Sequence, residues 1–212
     1  MSDQLLDFSG LVAVVTGGSR GLGREMSLAM AARGADIVIT SRKADACEAV
    51  AKEIEAKGRQ AMAYGCHVGH WEEVRAMIDA VYDRFGKIDI LINNAGMSPL
   101  YDKLSDVPEA LFDKVIDVNL KGPFRAMAYA GEKMAASGGG SIVNISSTAS
   151  LHPSPNAAAY GAAKAGLNSL TQSFAHALGP TVRVNCIAAG PFLTDISKAW
   201  DLEAFEASQE GN

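Results

Sequence analysis

The chain has 212 residues, 48% hydrophobic and 20% charged, with a formal net charge of −5. That composition belongs to a folded globular chain and excludes disorder and fibrous repeats. The acidic balance, with no Lys/Arg run, argues against nucleic acid as a partner, and no stretch of 18 or more apolar residues offers a membrane span.

Short apolar runs alternate with longer helical patterns along the chain. Residues 11–16 (LVAVVT) predict a strand that runs into glycines, and 22–33 a helix stopped by Gly34. Residues 37–40 predict the second strand and 45–57 the next helix, closed by Gly58. A weaker strand at 61–64 precedes a helix over about 71–85, ended by Gly86. The strand at 88–92 leads into Asn93-Asn94-Ala95-Gly96, and a helix contains 113–134. Residues 141–145 form a strand, about 156–178 an Ala-rich helix, and 181–187 the last clear strand. Strands alternating with helices of ten residues or more imply βαβ units. The expected fold is α/β, one domain over 1–212, with a doubly wound parallel sheet covered by helices on both faces. Cys47, Cys66 and Cys186 are far apart and read as reduced thiols of a reducing, cytoplasmic compartment. The N-terminus lacks the basic region of a signal peptide, and four scattered histidines suggest no metal site.

The first strand ends in Thr16-Gly17-Gly18-Ser19-Arg20-Gly21-Leu22-Gly23. A Gly-rich turn between a first strand and a helix brings backbone N–H groups against a pyrophosphate, because no Cβ keeps the phosphate away. An ordinary tight turn is the competing reading; the turn's place in the first βα unit favours the dinucleotide. Gly17, Ser19, Arg20, Gly21, Leu22 and Gly23 are therefore candidate cofactor ligands. After the second strand, an acidic residue would suit the ribose hydroxyls of NAD. Here Ser41-Arg42 stands instead, and a guanidinium suits a 2′-phosphate. With Arg20, this favours NADP(H) over NAD(H).

Tyr160 and Lys164 stand four residues apart on one helix face. An adjacent ammonium favours the ionised phenol, which can then exchange a proton near neutral pH. Tyr129 and Lys133 have the same spacing. Position separates the pairs. Tyr160 follows the fifth strand, and ligands sit outside the carboxyl ends of such strands. Ser147 at that strand's end can hydrogen-bond a substrate oxygen, whereas Tyr129 reads as a packing residue.

These residues, taken together, resemble the short-chain dehydrogenase/reductase family, in the branch with the T-G-x-x-x-G-x-G turn. The match runs collinearly through Thr16, Gly17, Gly21 and Gly23; Asn93-Asn94-Ala95-Gly96; Asn119; Ser147; Tyr160 and Lys164; and Asn185, Gly190 and Thr194. The resemblance covers about residues 8–195 and includes the 3-oxoacyl-thioester reductases as a candidate sub-family. It implies a Rossmann fold and a hydride transfer between NADP(H) and a ketone or secondary alcohol. Tyr160 would be the general acid/base, and Lys164 would lower its pKa and hold the nicotinamide ribose. Ser147 would orient the substrate, and Asn119 would hold a relay water or simply cap or kink its helix. Asn94, Ala95 and Gly96 would line the adenosine ribose. Gly190, Phe192 and Thr194 would serve the carboxamide and phosphates, with a helix N-cap as Thr194's alternative.

The chain also departs from the family pattern. His67-Val68 stands where an Asp before Val usually meets the adenine, so His67 would stack, donate or face solvent. Ala189 replaces a proline before Gly190. The substrate pocket is expected to involve Met97, Ser98, Leu100, Ser150, Leu151, His152 and residues of the 192–205 segment. The rival function is a non-catalytic NADP(H)-binding sensor or structural subunit. The resemblance implies a homo-oligomer, dimer or tetramer. It also implies a seventh C-terminal strand that nothing here matches; 192–212 reads as a lid-like segment, and the sixth strand would be left as an apolar edge.

Overall fold

The computed structural model describes residues 6–192. Six strands, β1 (Val12–Thr16), β2 (Asp36–Ser41), β3 (Ala61–Gly65), β4 (Ile90–Asn93), β5 (Gly140–Ser147) and β6 (Val182–Ala189), form one sheet. All neighbouring pairs are parallel, in the order β3-β2-β1-β4-β5-β6. The helices are α1 (Gly21–Ala31), α2 (Ala44–Glu55), α3 (Trp71–Phe85), α4 (Glu109–Ile116), α5 (Gly122–Ala136) and α6 (Ala158–Leu178). The doubly wound expectation holds, and β6 closes the sheet among the described residues. The lid-like segment beyond Phe192, with Thr194, lies outside them.

The period-2 alternation of a strand sends successive side chains to opposite faces. Val12 and Val14 join one core with Val74, Met77, Ile78 and Val81 of α3 and Met127 and Met134 of α5. Ala13 and Val15 join the other, with Met30 of α1 and Cys47, Val50 and Ile54 of α2. Each fully buried side chain of this size contributes about 1.5–3 kcal/mol. Continuous apolar strands such as β2 are therefore buried on both faces, as a parallel sheet requires.

The sheet order places the functional crevice. From β1 the chain winds outward through β2 and β3, then returns to the other flank of β1 as β4. The winding direction reverses between β1 and β4, and in such sheets ligands bind outside the carboxyl ends of the strands at that switch point.

One predicted element is corrected. The helix expected through 113–134 is two helices, α4 and α5, joined by a wider π-helical turn at Asp117–Lys121. Pro123, in the first turn of α5, has no N–H to return to the Asn119 carbonyl four residues earlier. The Asn119 side chain donates instead to the Val115 carbonyl at 2.9 Å. The ordinary ladder is thus interrupted at the point where Asn119 turns inward.

Candidate active site

The glycine turn is held by side chains from both flanking strands. Thr16 Oγ1 accepts the Asn94 and Ala95 backbone N–H groups, each at 3.0 Å. Asn94 Nδ2 donates to the Thr16 carbonyl at 2.9 Å and to the Gly17 carbonyl at 3.3 Å. Asn94 therefore binds the turn to β4 with its amide, and faces any ligand only with what remains. Gly17 has φ +67, and a Cβ there would stand 2.9 Å from both the Ala95 Cα and Asn94 Nδ2. A Cβ at Gly23 would collide with the Gly17 carbonyl oxygen. These glycines are required by close packing of turn, helix and β4. The first turn of α1 carries no acidic side chain, and its N-cap Arg20 is exposed in extended backbone. Ser19, Gly21 and Leu22 complete this N-terminus. The uncompensated helix end suits an anion.

At the end of β2, Arg42 is exposed. Ser41 closes its own turn: its Oγ donates to the Lys43 carbonyl at 3.1 Å and lies 3.1 Å from Cys47 Sγ. His67, after β3, stacks on His70 with centroids 4.3 Å apart. Its Nδ1 accepts the Gly69 N–H at 3.2 Å, so the neutral ring carries its proton on Nε2. Glu73 accepts the His67 backbone N–H at 2.7 Å and pairs with His70 at 2.5 Å. Partial burial, then the neighbouring His70 and Arg42, hold the His67 imidazole below its usual pKa. The Val68 backbone carbonyl packs against Gly122 at the start of α5.

The catalytic candidates converge where β5 meets α6. Lys164 is 3% exposed and donates from Nζ to the Ile145 carbonyl at 2.7 Å. Its Nζ lies 5.7 Å from the centre of the Tyr160 ring. Burial pulls the Lys164 ammonium down to about 8. Burial also pushes the Tyr160 phenol up, while a hydrogen bond with Ser147 acts the other way. The direction is opposite to that expected from the neighbouring charge alone, because desolvation penalises both charged forms. Ser147 caps a short 3₁₀ turn, Thr148–Ser150, and its Oγ accepts the Ala149 N–H at 3.1 Å.

Asn119 is fully buried; its Nδ2 also donates to the Met97 carbonyl at 2.9 Å, and its Oδ1 accepts the Met97 N–H at 3.2 Å. It ties the loop after β4 to the π-helical turn. A Cβ at Gly96 would stand 3.0 Å from Asn119 Oδ1 and 3.7 Å from Lys164 Nζ, so glycine keeps that space open. Tyr101, in the same loop, accepts the Ala159 N–H at 3.2 Å and satisfies an orphan donor at the start of α6. Gly190 and Phe192 are exposed beyond β6, away from other described atoms in the case of a Gly190 Cβ. The decoy pair lies elsewhere: Tyr129 and Lys133 both donate to Asp79 on α3, at 3.0 and 2.7 Å. Ser150, expected to line the pocket, instead turns its hydroxyl back onto the Ser147 carbonyl at 2.6 Å. Among the described residues, no three His, Cys, Asp or Glu side chains cluster to hold a metal, and no helix is long and apolar enough to cross a membrane.

Known proteins agree with this architecture. A family model described as short chain dehydrogenase matches residues 11–204. The 3-oxoacyl-(acyl-carrier-protein) reductase FabG of Staphylococcus aureus is 38% identical over 189 residues, 88% of this chain and 76% of that protein. A 7α-hydroxysteroid dehydrogenase, solved with NADH and 7-oxo glycochenodeoxycholic acid, superimposes with a TM-score of 0.90 at 33% identity. That match covers 95% of this chain and 79% of the other. A metagenomic short-chain oxidoreductase in complex with NADP reaches a TM-score of 0.83 at 38% identity, covering 87% and 83%. Fold and relatives converge: this chain is an oxidoreductase of the short-chain dehydrogenase family, with 3-oxoacyl reductases among its relatives.

Proposed function

We propose that the protein is an NADP(H)-dependent oxidoreductase that interconverts a ketone and a secondary alcohol, with Tyr160 as general acid/base. The observation that carries this reading is the meeting of Ser147, Tyr160 and a fully buried Lys164 at the carboxyl end of β5. The residues present fit a dinucleotide. A side chain at Gly17 or Gly23 would fill the cradle, and the first turn of α1 carries no acidic side chain of its own. Gly17, Ser19, Arg20, Gly21, Leu22 and Gly23 would hold the pyrophosphate, with Ala95 and Gly96 beside the ribose. Gly190, Phe192 and Thr194 would stand at the nicotinamide end. Bound there, the nicotinamide supplies or accepts the hydride.

The chain's own residues handle the proton. Tyr160, kept protonated at neutral pH by burial, donates to the carbonyl oxygen during reduction. Ser147 orients that oxygen. Lys164 offers a buried cation to the phenolate as it forms and to the ribose hydroxyls. Asn119 keeps the Met97 loop in place beside Lys164 and would hold the relay water. Arg42, beside His67 and with no carboxylate at the end of β2, supports NADP(H) over NAD(H), although one solved relative carries NADH. A 3-oxoacyl thioester is the first carbonyl substrate to test, given the FabG relationship. The resemblance also supports a homo-oligomer.

The test is NADPH oxidation against a panel of ketones and 3-oxoacyl thioesters. Tyr160→Phe is expected to lose about 10²–10⁴-fold in kcat. Turnover that survives Tyr160→Phe overturns the mechanism. Tight NADPH binding with no turnover of any carbonyl favours a sensor. NADPH is expected to bind at least about tenfold more tightly than NADH, or about 1.4 kcal/mol. Arg42→Ala should abolish that preference.

A further inference from the structure

The loop that leaves β5 is partly exposed. The 3₁₀ turn Thr148–Ser150 that follows Ser147 contains no buried residue, and Leu151 beyond it is 61% exposed. Ser147 nevertheless has to present its hydroxyl at one place. A directed chain of hydrogen bonds reaches it from behind. The Cys186 thiol on β6 donates to Asn168 Oδ1 at 3.3 Å. Asn168 Nδ2 donates to Ser150 Oγ at 2.8 Å. Ser150 gives its single proton to the Ser147 carbonyl at 2.6 Å.

Asn168 and Ser150 each accept from behind and donate forward, so the bonds polarise one another in one direction. The thiol fixes which way the Asn168 amide points, and the amide fixes the Ser150 hydroxyl. Asn168 sits one turn beyond Lys164 and two beyond Tyr160, on the same face of α6. One helix therefore carries the acid/base, the ammonium and the strut. At the far end, the Ser147 Oγ accepts the Ala149 N–H. Its remaining hydrogen is then left to serve Tyr160 or a substrate oxygen.

We infer that Ser150 and Asn168 are positioning residues that hold Ser147 in the orientation its hydroxyl needs. This rests on Ser147 acting at the site as proposed above. It reassigns Ser150 from lining the substrate pocket to supporting the residue that does. It also gives Asn168 a role in the site through Ser147, with no contact to substrate.

The test is a double-mutant cycle with two readouts. The first is ultraviolet titration of the Tyr160 phenol, taken as the difference from the same protein carrying Tyr160→Phe, which needs no substrate. The second is kcat for ketone reduction. Ser150→Ala and Asn168→Asp should each raise the Tyr160 midpoint by about half a unit, the size expected of weakening one hydrogen bond. Each should lower kcat about tenfold and leave the NADPH dissociation constant unchanged. Ser150→Thr, which keeps the hydroxyl, should restore both. In a Ser147→Ala background, Ser150→Ala and Asn168→Asp should change neither readout further. Equal effects with and without Ser147, or no shift in its presence, overturn the inference. A wild-type protein that reduces no carbonyl refutes the proposed activity, and the phenol titration still decides the role of Ser150 and Asn168.

Discussion

The turn after β1 and the loop after β5 face the same crevice but are built in opposite ways. At the first, glycines let backbone approach backbone, with Thr16 and Asn94 tying two strand ends together. At the second, buried or half-buried polar side chains do the work: Lys164 on the Ile145 carbonyl, and Ser150 on the Ser147 carbonyl. A surface that binds a large anion needs N–H groups and no obstruction. A surface that moves a proton needs a few side chains held at fixed angles. The first is intolerant of added atoms, and the second of lost polar ones.

Substitutions can break this contrast. Gly23→Val should have the largest effect, because its side chain meets the Gly17 carbonyl and Asn94 with no flexible neighbour to yield. A loss of about 3 kcal/mol is expected by urea unfolding, the upper range for overpacking. A loss under 1 kcal/mol would show that the turn can open. Asn94→Ala removes the amide that spans Thr16 and Gly17, and should cost about 2 kcal/mol by leaving those carbonyls short of a donor.

Lys164→Met probes the other side and should move stability the other way. The folded pKa of about 8 lies below the ordinary 10.5, so the unfolded chain holds more protons between those values. Wild-type stability therefore rises as pH climbs from about 8 to 10.5, and the cost of burying the ammonium is fully present below 8. At pH 7 Lys164→Met should be about 1 kcal/mol more stable than wild type, with its loss of the Ile145 bond offsetting part of the gain. The difference should close and then reverse before pH 10, as followed by urea midpoints; a constant gap would mean the ammonium carries no such cost. The smallest effect is expected at Gly190→Ala, which has open space and ordinary backbone, within about 0.5 kcal/mol of wild type by thermal unfolding.

Much of this was legible from residue order. The glycine run, the apolar strands and the Tyr160/Lys164 spacing are local patterns, and βα alternation leaves few ways to arrange them. The decoy pair was separable because Tyr129 falls late on its helix, and Asp79 supplies its partner. A kink at Asn119 was one reading of the sequence, but its π-helical form was not legible, because the Asn119 side chain is also held by a loop 22 residues away at Met97. Asn168, and its link to Ser150, escaped notice for a similar reason; Ser150 was expected only at the substrate pocket. Their link joins α6 to the loop after β5, and neither residue type is unusual where it stands. Asn168 could have been suspected from its place four residues beyond Lys164 on one face.

Order and composition by themselves determined the class of fold, the glycine turn after the first strand and the pairing of Tyr160 with Lys164 on one helix face, because those follow from short-range periodicity and from backbone sterics at glycine. Tertiary structure decided the direction in which each group of the pair titrates away from its ordinary value. Sequence spacing offered Tyr160 a neighbouring cation that should ease its ionisation. Packing α6 against β5 desolvated both groups, raising the phenol and lowering the amine. It also decided which oxygen each polar side chain would meet, since those partners come from strands and loops distant along the chain.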